Sequence, residues 1–149
     1  MIRTIRVLLG ALTVAAAVFV AAPAAHAADP VRHLVNQWSG NCLDDTPSGF
    51  RMWPCNGTNA QRWIIHTWND GTVRLQNVNT RRCIDDTNDF GLRTWDCNSG
   101  QNQSWWVKRW NDGTRRYQNQ ATGYCIYDSN AGLRRAVCST SAAASWWVL

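Results

Sequence analysis

Two pairs of adjacent aspartates are the residues of this sequence best suited to acid–base chemistry. Asp44-Asp45 and Asp85-Asp86 each begin two residues after a cysteine. A glycoside hydrolase needs two carboxylates that flank the bond it cleaves. Neighbours on an extended strand project to opposite faces, so the carboxylates of one pair do not converge on one bond. The two aspartate pairs therefore do not favour a hydrolase.

Other catalytic and metal-ligating residue types are sparse. The 149-residue chain has no glutamate, and only His33 and His66 remain once an N-terminal leader is set aside. No Gly-x-Ser-x-Gly motif accompanies these histidines, and no Cys-x-x-Cys pair is present. We therefore expect no enzymatic activity, no bound metal and no cofactor.

Residues 1–27 have the features of a secretory signal peptide. Two arginines precede an apolar stretch from Val7 to Val20, and Ala25-His26-Ala27 matches the small-x-small site of signal peptidase. An uncleaved membrane anchor is the less favoured alternative, because the stretch is short and a cleavage site follows it. The remaining residues 28–149 carry a mild positive charge, and their six cysteines fit an oxidising compartment.

Cysteines and tryptophans recur with a step of 41 or 42 residues. The recurring sets are Cys42, Cys83 and Cys125; Cys55, Cys97 and Cys138; Trp63, Trp105 and Trp146; and the asparagines Asn36, Asn77 and Asn119. The period predicts one domain over 28–149 with three repeats, approximately 31–70, 71–112 and 113–149. Of the fifteen possible cysteine pairings, repetition favours Cys42 with Cys55, Cys83 with Cys97 and Cys125 with Cys138.

Turn signals predict short strands in each repeat and no sustained helix. Trp68-Asn69-Asp70-Gly71-Thr72 recurs as Trp110-Asn111-Asp112-Gly113-Thr114, and Asp-Gly between aromatic and β-branched residues is typical of a hairpin. The strands expected around these turns are 63–67, 73–76, 105–108 and 115–118. Residues 31–36 resemble the outgoing strands and are expected to pair with the C-terminal strand, which closes the repeats into a ring.

The pattern resembles the ricin B-chain type of β-trefoil lectin domain. Gln61-Arg62-Trp63 and Gln103-Ser104-Trp105 match the Gln-x-Trp signature of that family, whereas Ala144-Ser145-Trp146 keeps only the tryptophan. The short loops between paired cysteines are similar to those of compact, actinohivin-like bacterial members. The resemblance implies an all-β β-trefoil with one disulfide per repeat. In such a fold Gln61, Gln103, Trp63, Trp105 and Trp146 are structural.

The resemblance also implies a sugar pocket in each repeat. An aspartate after the first cysteine would accept hydrogen bonds from sugar hydroxyls, and an aromatic before the second cysteine would pack on the sugar face. The expected binding residues are Asp44, Trp53 and Asn56 in repeat one, and Asp85, Trp95, Asn98 and Asn102 in repeat two. Repeat three has Tyr127, Ala136 and Ser139 instead, so we expect it not to bind sugar.

An arginine stands four residues before the second cysteine of every repeat, at Arg51, Arg93 and Arg134. Arg51 and Arg93 belong to the expected sites, with two alternatives open. Each could form a bidentate ion pair that withholds the nearby aspartate from a sugar, or contact an acidic ligand. The arginine pairs 81–82, 115–116 and 134–135 are expected to solvate strand faces.

The sequence thus predicts a secreted, extracellular lectin that binds a glycan or polysaccharide through repeats one and two. We expect a monomer without membrane insertion, and two pockets on one frame would gain affinity for repetitive ligands. An inhibitor or protein-interaction module on the same fold is the main alternative. Mild charge and the expected secretion disfavour nucleic-acid binding. Asn56-Gly57-Thr58 and Asn102-Gln103-Ser104 are also glycosylation sequons within the expected pockets.

Overall fold

A computed structural model describes residues 27–149 of the protein. The predicted signal peptide lies outside the described residues, except for Ala27 at its end. The described part contains twelve β-strands: β1 (Val31–Asn36), β2 (Cys42–Thr46), β3 (Gly49–Trp53), β4 (Arg62–Thr67), β5 (Val73–Asn77), β6 (Cys83–Thr87), β7 (Gly91–Trp95), β8 (Trp105–Arg109), β9 (Arg115–Asn119), β10 (Cys125–Ser129), β11 (Gly132–Ala136) and β12 (Trp146–Val148). Three single 3-10 turns, Asn59–Gln61, Gln101–Gln103 and Ala142–Ala144, are its helical elements.

Six strands close into an antiparallel barrel, and three hairpins cover one end of it. Around the barrel, β1 pairs with β4, β4 with β5, β5 with β8, β8 with β9, β9 with β12, and β12 with β1. The hairpins β2–β3, β6–β7 and β10–β11 form the cap, where β11 contacts both β3 and β7. This is the predicted β-trefoil, and the predicted pairing of the terminal strands is confirmed, with Leu34 opposite Val148.

The three recurring tryptophans fill the barrel core and hold the cap to it. Trp63, Trp105 and Trp146 are buried, and each indole Nε1 donates to a carbonyl oxygen on the first strand of its capping hairpin. The nitrogen–oxygen distances are 2.9 Å to Leu43 and 3.2 Å to both Ile84 and Ile126. A disulfide closes each capping hairpin, which confirms one disulfide per repeat, and a loop of this length contributes about 3 kcal/mol.

A buried asparagine ends the strand before each first cysteine, at Asn36, Asn77 and Asn119. Its side-chain oxygen accepts the backbone N–H groups two and three residues later, which fixes the turn into the capping hairpin. Its side-chain nitrogen donates to a carbonyl in one of the 3-10 turns, at 2.8 to 3.0 Å. The repeated asparagine therefore joins three segments at each corner of the fold.

The aspartate three residues after the first cysteine of each repeat bonds to the next repeat. Asp45 accepts hydrogen bonds from the hydroxyl groups of Thr80 and Thr94, and Arg82 Nη2 lies 2.6 Å from its Oδ1. Both acceptor oxygens are buried, because the Asp45 side chain has no exposed surface. Asp45 thus faces the neighbouring repeat, whereas Asp44 projects to the other face of β2.

The same inter-repeat contact recurs at the other two junctions. Asp86 accepts from Thr122 and from Arg135, whose Nη1 lies 3.2 Å from Asp86 Oδ1, and Asp128 accepts from Ser39. Burial raises the pKa of the Asp86 carboxyl above its usual range, and Thr122 and Arg135 oppose that effect. The prediction that Arg82 and Arg135 solvate strand faces is wrong, because each pairs with a buried carboxylate of the preceding repeat.

Candidate functional site

Strand register gathers the predicted binding residues of repeat two on one face of the β6–β7 hairpin. Asp85 lies opposite Arg93, and Cys83 lies opposite Trp95. Alternate residues of a strand share a face, so Arg93 and Trp95 project together with Asp85. The disulfide from Cys83 fixes the chain two residues beyond Trp95.

Arg93 lies between the aspartate and two aromatic rings. Its Nε donates to Asp85 Oδ1 at 3.0 Å, and its guanidinium carbon lies 4.2 Å from the ring centroid of Trp95 and 4.3 Å from that of Phe90. The other oxygen, Asp85 Oδ2, accepts from Gln103 Nε2 at 3.2 Å. The ion pair that the sequence left open forms, although through a single Arg93 nitrogen, and contact of this arginine with an acidic ligand stays a prediction.

The exposed parts of this site are its aromatic rings and the outer nitrogens of the guanidinium. Trp95 is 52% exposed, whereas the Asp85 side chain is only 5% exposed. Within residues 27–149, the two Nη atoms of Arg93 donate to no protein group. A ligand would therefore meet indole surface and N–H donors before it reached the carboxylate.

Repeat one has the same arrangement in a simpler form. Arg51 Nε donates to the buried Asp44 at 3.1 Å, and the guanidinium carbon lies 4.1 Å from the ring centroid of Trp53, which is 46% exposed. The β2–β3 turn has two residues where the β6–β7 turn has three, and the additional residue leaves room for Phe90. Sequence analysis missed Phe90, although an aromatic within the longer turn was a usable signal.

The predicted asparagines differ in their availability to a ligand. Asn56 and Asn98 are exposed, and their side-chain oxygens accept from Thr58 and Gly100 in the disulfide loops. Asn102 is half-buried, and its Nδ2 donates to the Asp86 carbonyl at 2.7 Å. The Asn102 side chain thus bonds to β6 backbone, so one of its two N–H donors is already used.

Two buried glutamines bond to the backbone around the sites of repeats one and two. Gln61 accepts from the Asn56 backbone N–H at 2.8 Å and donates to the Pro54 carbonyl at 3.0 Å. Gln103 repeats both contacts with Asn98 and Asp96, and adds its bond to Asp85. The glutamines therefore fix the loop after each exposed tryptophan.

Repeat three keeps the hairpin and lacks the site. Tyr127 replaces the aspartate and bonds through its hydroxyl to Ser139, and Ala136 lies opposite Cys125 where the other repeats have tryptophan. Arg134 is exposed, and no carboxylate of the described residues pairs with it. Repeat three therefore has neither the aspartate–arginine ion pair nor the exposed tryptophan ring.

Two surface clefts lie outside these sites, beside Trp68 and Trp110. A cleft of about 660 Å³ includes Trp68 and one of about 490 Å³ includes Trp110. Arg74 lies 5.2 Å from the Trp68 ring, and Arg116 lies 5.5 Å from the Trp110 ring, so cations already cover these indoles. The sites of repeats one and two are open platforms rather than clefts.

The described residues include neither a cluster of metal-ligating side chains nor a membrane-spanning helix. No group of three or more His, Cys, Asp or Glu side chains between residues 27 and 149 could hold a metal ion. No helix there is long and apolar enough to cross a membrane.

Solved structures with the same fold include chains that match over nearly their whole length and an enzyme that is much longer. The designed threefold-symmetric protein ThreeFoil has a TM-score of 0.73 at 19% identity, over 80% of this chain and 97% of that one. SeviL, solved bound to asialo-GM1 saccharide, has a TM-score of 0.68 at 12% identity, over 81% and 97% of the two chains. At these identities the likeness shows the fold alone.

The enzyme in this comparison is much longer than the present chain. The exo-β-1,3-galactanase 1,3Gal43A of Clostridium thermocellum has a TM-score of 0.72 at 23% identity, over 81% of this chain and 30% of that one. No curated protein matches the sequence significantly. The sequence profile described as the ricin-type beta-trefoil lectin domain matches residues 30–147. The chain therefore belongs to the ricin-type β-trefoil lectin domain family.

Proposed function

We propose that the protein is a secreted lectin that binds glycans through two surfaces, one in each of its first two repeats. Family membership supports carbohydrate binding. One observation carries the finer proposal: an exposed tryptophan, stacked by an arginine that a buried aspartate holds, occurs at equivalent places in repeats one and two. The same place in repeat three has neither tryptophan nor aspartate.

The geometry supports different roles for the tryptophan, the arginine and the aspartate of each surface. The C–H face of a sugar would pack on the free part of Trp53 or Trp95, since such faces are apolar. The Nη atoms of Arg51 or Arg93 would donate to sugar oxygens, and hydrogen bonds from a charged donor are short and strong. The aspartates Asp44 and Asp85 would act as positioning residues, because their side chains are buried and each accepts a hydrogen bond from the arginine of its hairpin.

Two such surfaces on one rigid frame favour a repetitive ligand. A shallow platform encloses little of a sugar, so each site alone would be weak. Binding at the second site becomes intramolecular once the first is occupied, and this raises the overall affinity. SeviL has the same fold and was solved with a saccharide, which agrees with the proposed ligand class.

A glycan array tests the proposal with three proteins made in an oxidising bacterial compartment, where the two sequons stay unmodified. The wild type should bind a defined set of glycans, and Trp53→Ala/Trp95→Ala should lose that binding. Trp106→Ala is the matched control, since Trp106 is 42% exposed but lies on β8 outside both surfaces.

Near-ultraviolet circular dichroism and a thiol assay confirm that each variant is folded with intact disulfides. A folded wild type that binds no glycan would contradict the proposal and favour a protein-interaction module. Equal loss of binding in the Trp106→Ala control would contradict the assigned surfaces.

The proposed secretion is tested separately by expression of the full chain. The three disulfides support an oxidising destination. Protein recovered outside the cell should begin at Ala28 on N-terminal sequencing. Retention of residues 1–27 on a cell-associated protein would contradict this part of the proposal.

A further inference from the structure

A buried tyrosine hydroxyl without a partner lies inside the barrel. Tyr117 is 1% exposed and occupies the position that Leu34 and Leu75 hold in the other two repeats. Within the described residues, Tyr117 Oη has no hydrogen-bond partner. An unpartnered buried hydroxyl is costly, so a hydroxyl at a position otherwise occupied by leucine requires a reason.

The Tyr117 hydroxyl needs a hydrogen-bond acceptor. Burial raises the pKa of Tyr117 to about 12, although the charge and the nearby N–H donors of Arg115 and the charge of Arg109 oppose the increase, so the group keeps its proton at neutral pH. The positive charges close to the ring cannot accept its O–H, because guanidinium groups only donate.

The tyrosine lines a partly enclosed cavity of about 190 Å³ at the end of the barrel opposite the cap. Three arginines also line this cavity: Arg32 at the start of β1, Arg109 at the end of β8 and Arg115 at the start of β9. No carboxylate of residues 27–149 lies within ion-pair distance of any of the three. The cavity is therefore lined by unneutralised positive charge.

Strand register brings two of these three positive charges close together. Arg109 and Arg115 lie directly opposite each other in the β8–β9 ladder. Like charges in this arrangement repel and destabilise a sheet. The equivalent pair in the β4–β5 hairpin is Thr67 and Val73, which carries no charge. An anion between the arginines would convert this repulsion into attraction.

We propose that this barrel mouth binds a small oxyanion, such as sulfate, phosphate or the sulfate group of a sugar. Arg32, Arg109 and Arg115 supply the charge, and Tyr117 Oη donates a hydrogen bond to one anion oxygen. The site is separate from the glycan surfaces, because those lie on the capping hairpins at the other end of the barrel.

The test is calorimetric titration with sodium sulfate at constant ionic strength, with chloride as the replaced anion. Wild type should bind one sulfate per chain. Tyr117→Phe keeps the ring in the core and should bind about tenfold more weakly, the effect of one lost hydrogen bond to a charged group. Arg109→Gln, at an exposed position, should weaken binding at least as much.

A second measurement separates binding from general salt effects. In chloride alone, Arg109→Gln should unfold at a higher temperature than wild type because the repulsion with Arg115 is relieved, and sulfate should remove that advantage.

Glucose 6-sulfate that competes with sulfate would identify a sugar-borne group as a ligand, whereas no competition restricts the site to the free anion. Equal sulfate responses in wild type, Tyr117→Phe and Arg109→Gln would overturn the proposal.

Discussion

Repeats two and three share one frame and present different surfaces. Both disulfides hold their Cα atoms 5.0 Å apart, and both core tryptophans donate to a hairpin carbonyl at 3.2 Å. The hairpin registers also correspond, since Asp85 opposite Arg93 becomes Tyr127 opposite Arg134. The frame therefore does not depend on the aspartate or on the exposed tryptophan, and a repeat can lose its proposed site without losing its fold.

The residues that join the repeats also differ among the junctions. Asp86 has an arginine and a threonine as partners, whereas the equivalent Asp128 bonds to Ser39. The contrast between repeats thus extends to the stability of the frame, where it can be measured.

Removal of a junction carboxylate should have the largest effect, and it should differ between the two repeats. Asp86→Ala leaves Arg135 and Thr122 without their buried acceptor and should lower the free energy of unfolding by about 3 kcal/mol. Asp128→Ala removes a single hydroxyl contact and should cost about 1 kcal/mol. Guanidinium-induced unfolding with intact disulfides measures both free energies. Equal losses would contradict the expected difference between the two junctions.

Conversion of repeat two to the surface of repeat three should affect binding and leave stability almost unchanged. Trp95→Ala removes one of the two proposed sites, so affinity for a polyvalent glycan surface should fall by about a hundredfold through lost avidity. Affinity for the corresponding soluble monovalent glycan at repeat one should stay at the wild-type value. Surface plasmon resonance on dense and sparse glycan surfaces distinguishes the two quantities. A loss of equal size for monovalent and polyvalent ligands would contradict two independent sites.

The smallest effect concerns the two hairpin turns, which repeat three lacks. Hydrogen bonds from Thr72 and Thr114 hold the pKa of Asp70 and Asp112 below the usual value. A carboxyl with a lowered folded-state pKa stabilises the protein above the unfolded-state pKa near 3.8, and this contribution is lost as the pH falls through the folded-state pKa. In the double variant Asp70→Asn/Asp112→Asn, the free energy of unfolding should therefore fall less steeply as the pH is lowered on the acid side. An unchanged acid dependence would show that these turns do not contribute.

Much of the frame could be predicted from sequence because its determinants repeat. Cysteines, core tryptophans and Asp-Gly turns recur at fixed steps, and the resemblance of residues 31–36 to the other outgoing strands predicted ring closure. The hydroxyls of Ser39, Thr80 and Thr122 also recur, three residues after each asparagine, and could have revealed the junction aspartates.

The junction ion pairs could not be predicted because they do not repeat, and the details of the site could not because they depend on side-chain packing. Arg82 and Arg135 pair with equivalent aspartates from different places in their repeats, so periodicity could not identify them. The stacking of Arg93 between Phe90 and Trp95 depends on side-chain conformation and on one additional turn residue. Sequence placed Arg93 close to Asp85, and only three-dimensional packing shows that the two side chains bond.

The most direct test of the two-surface account is the nuclear magnetic resonance of the tryptophan indole N–H groups during titration with the glycan that binds best on the array. The signals of Trp53 and Trp95 should shift and saturate. Trp38 and Trp106, which are comparably exposed, should not respond. Shifts at Trp38 or Trp106 with Trp53 and Trp95 unchanged would contradict the account.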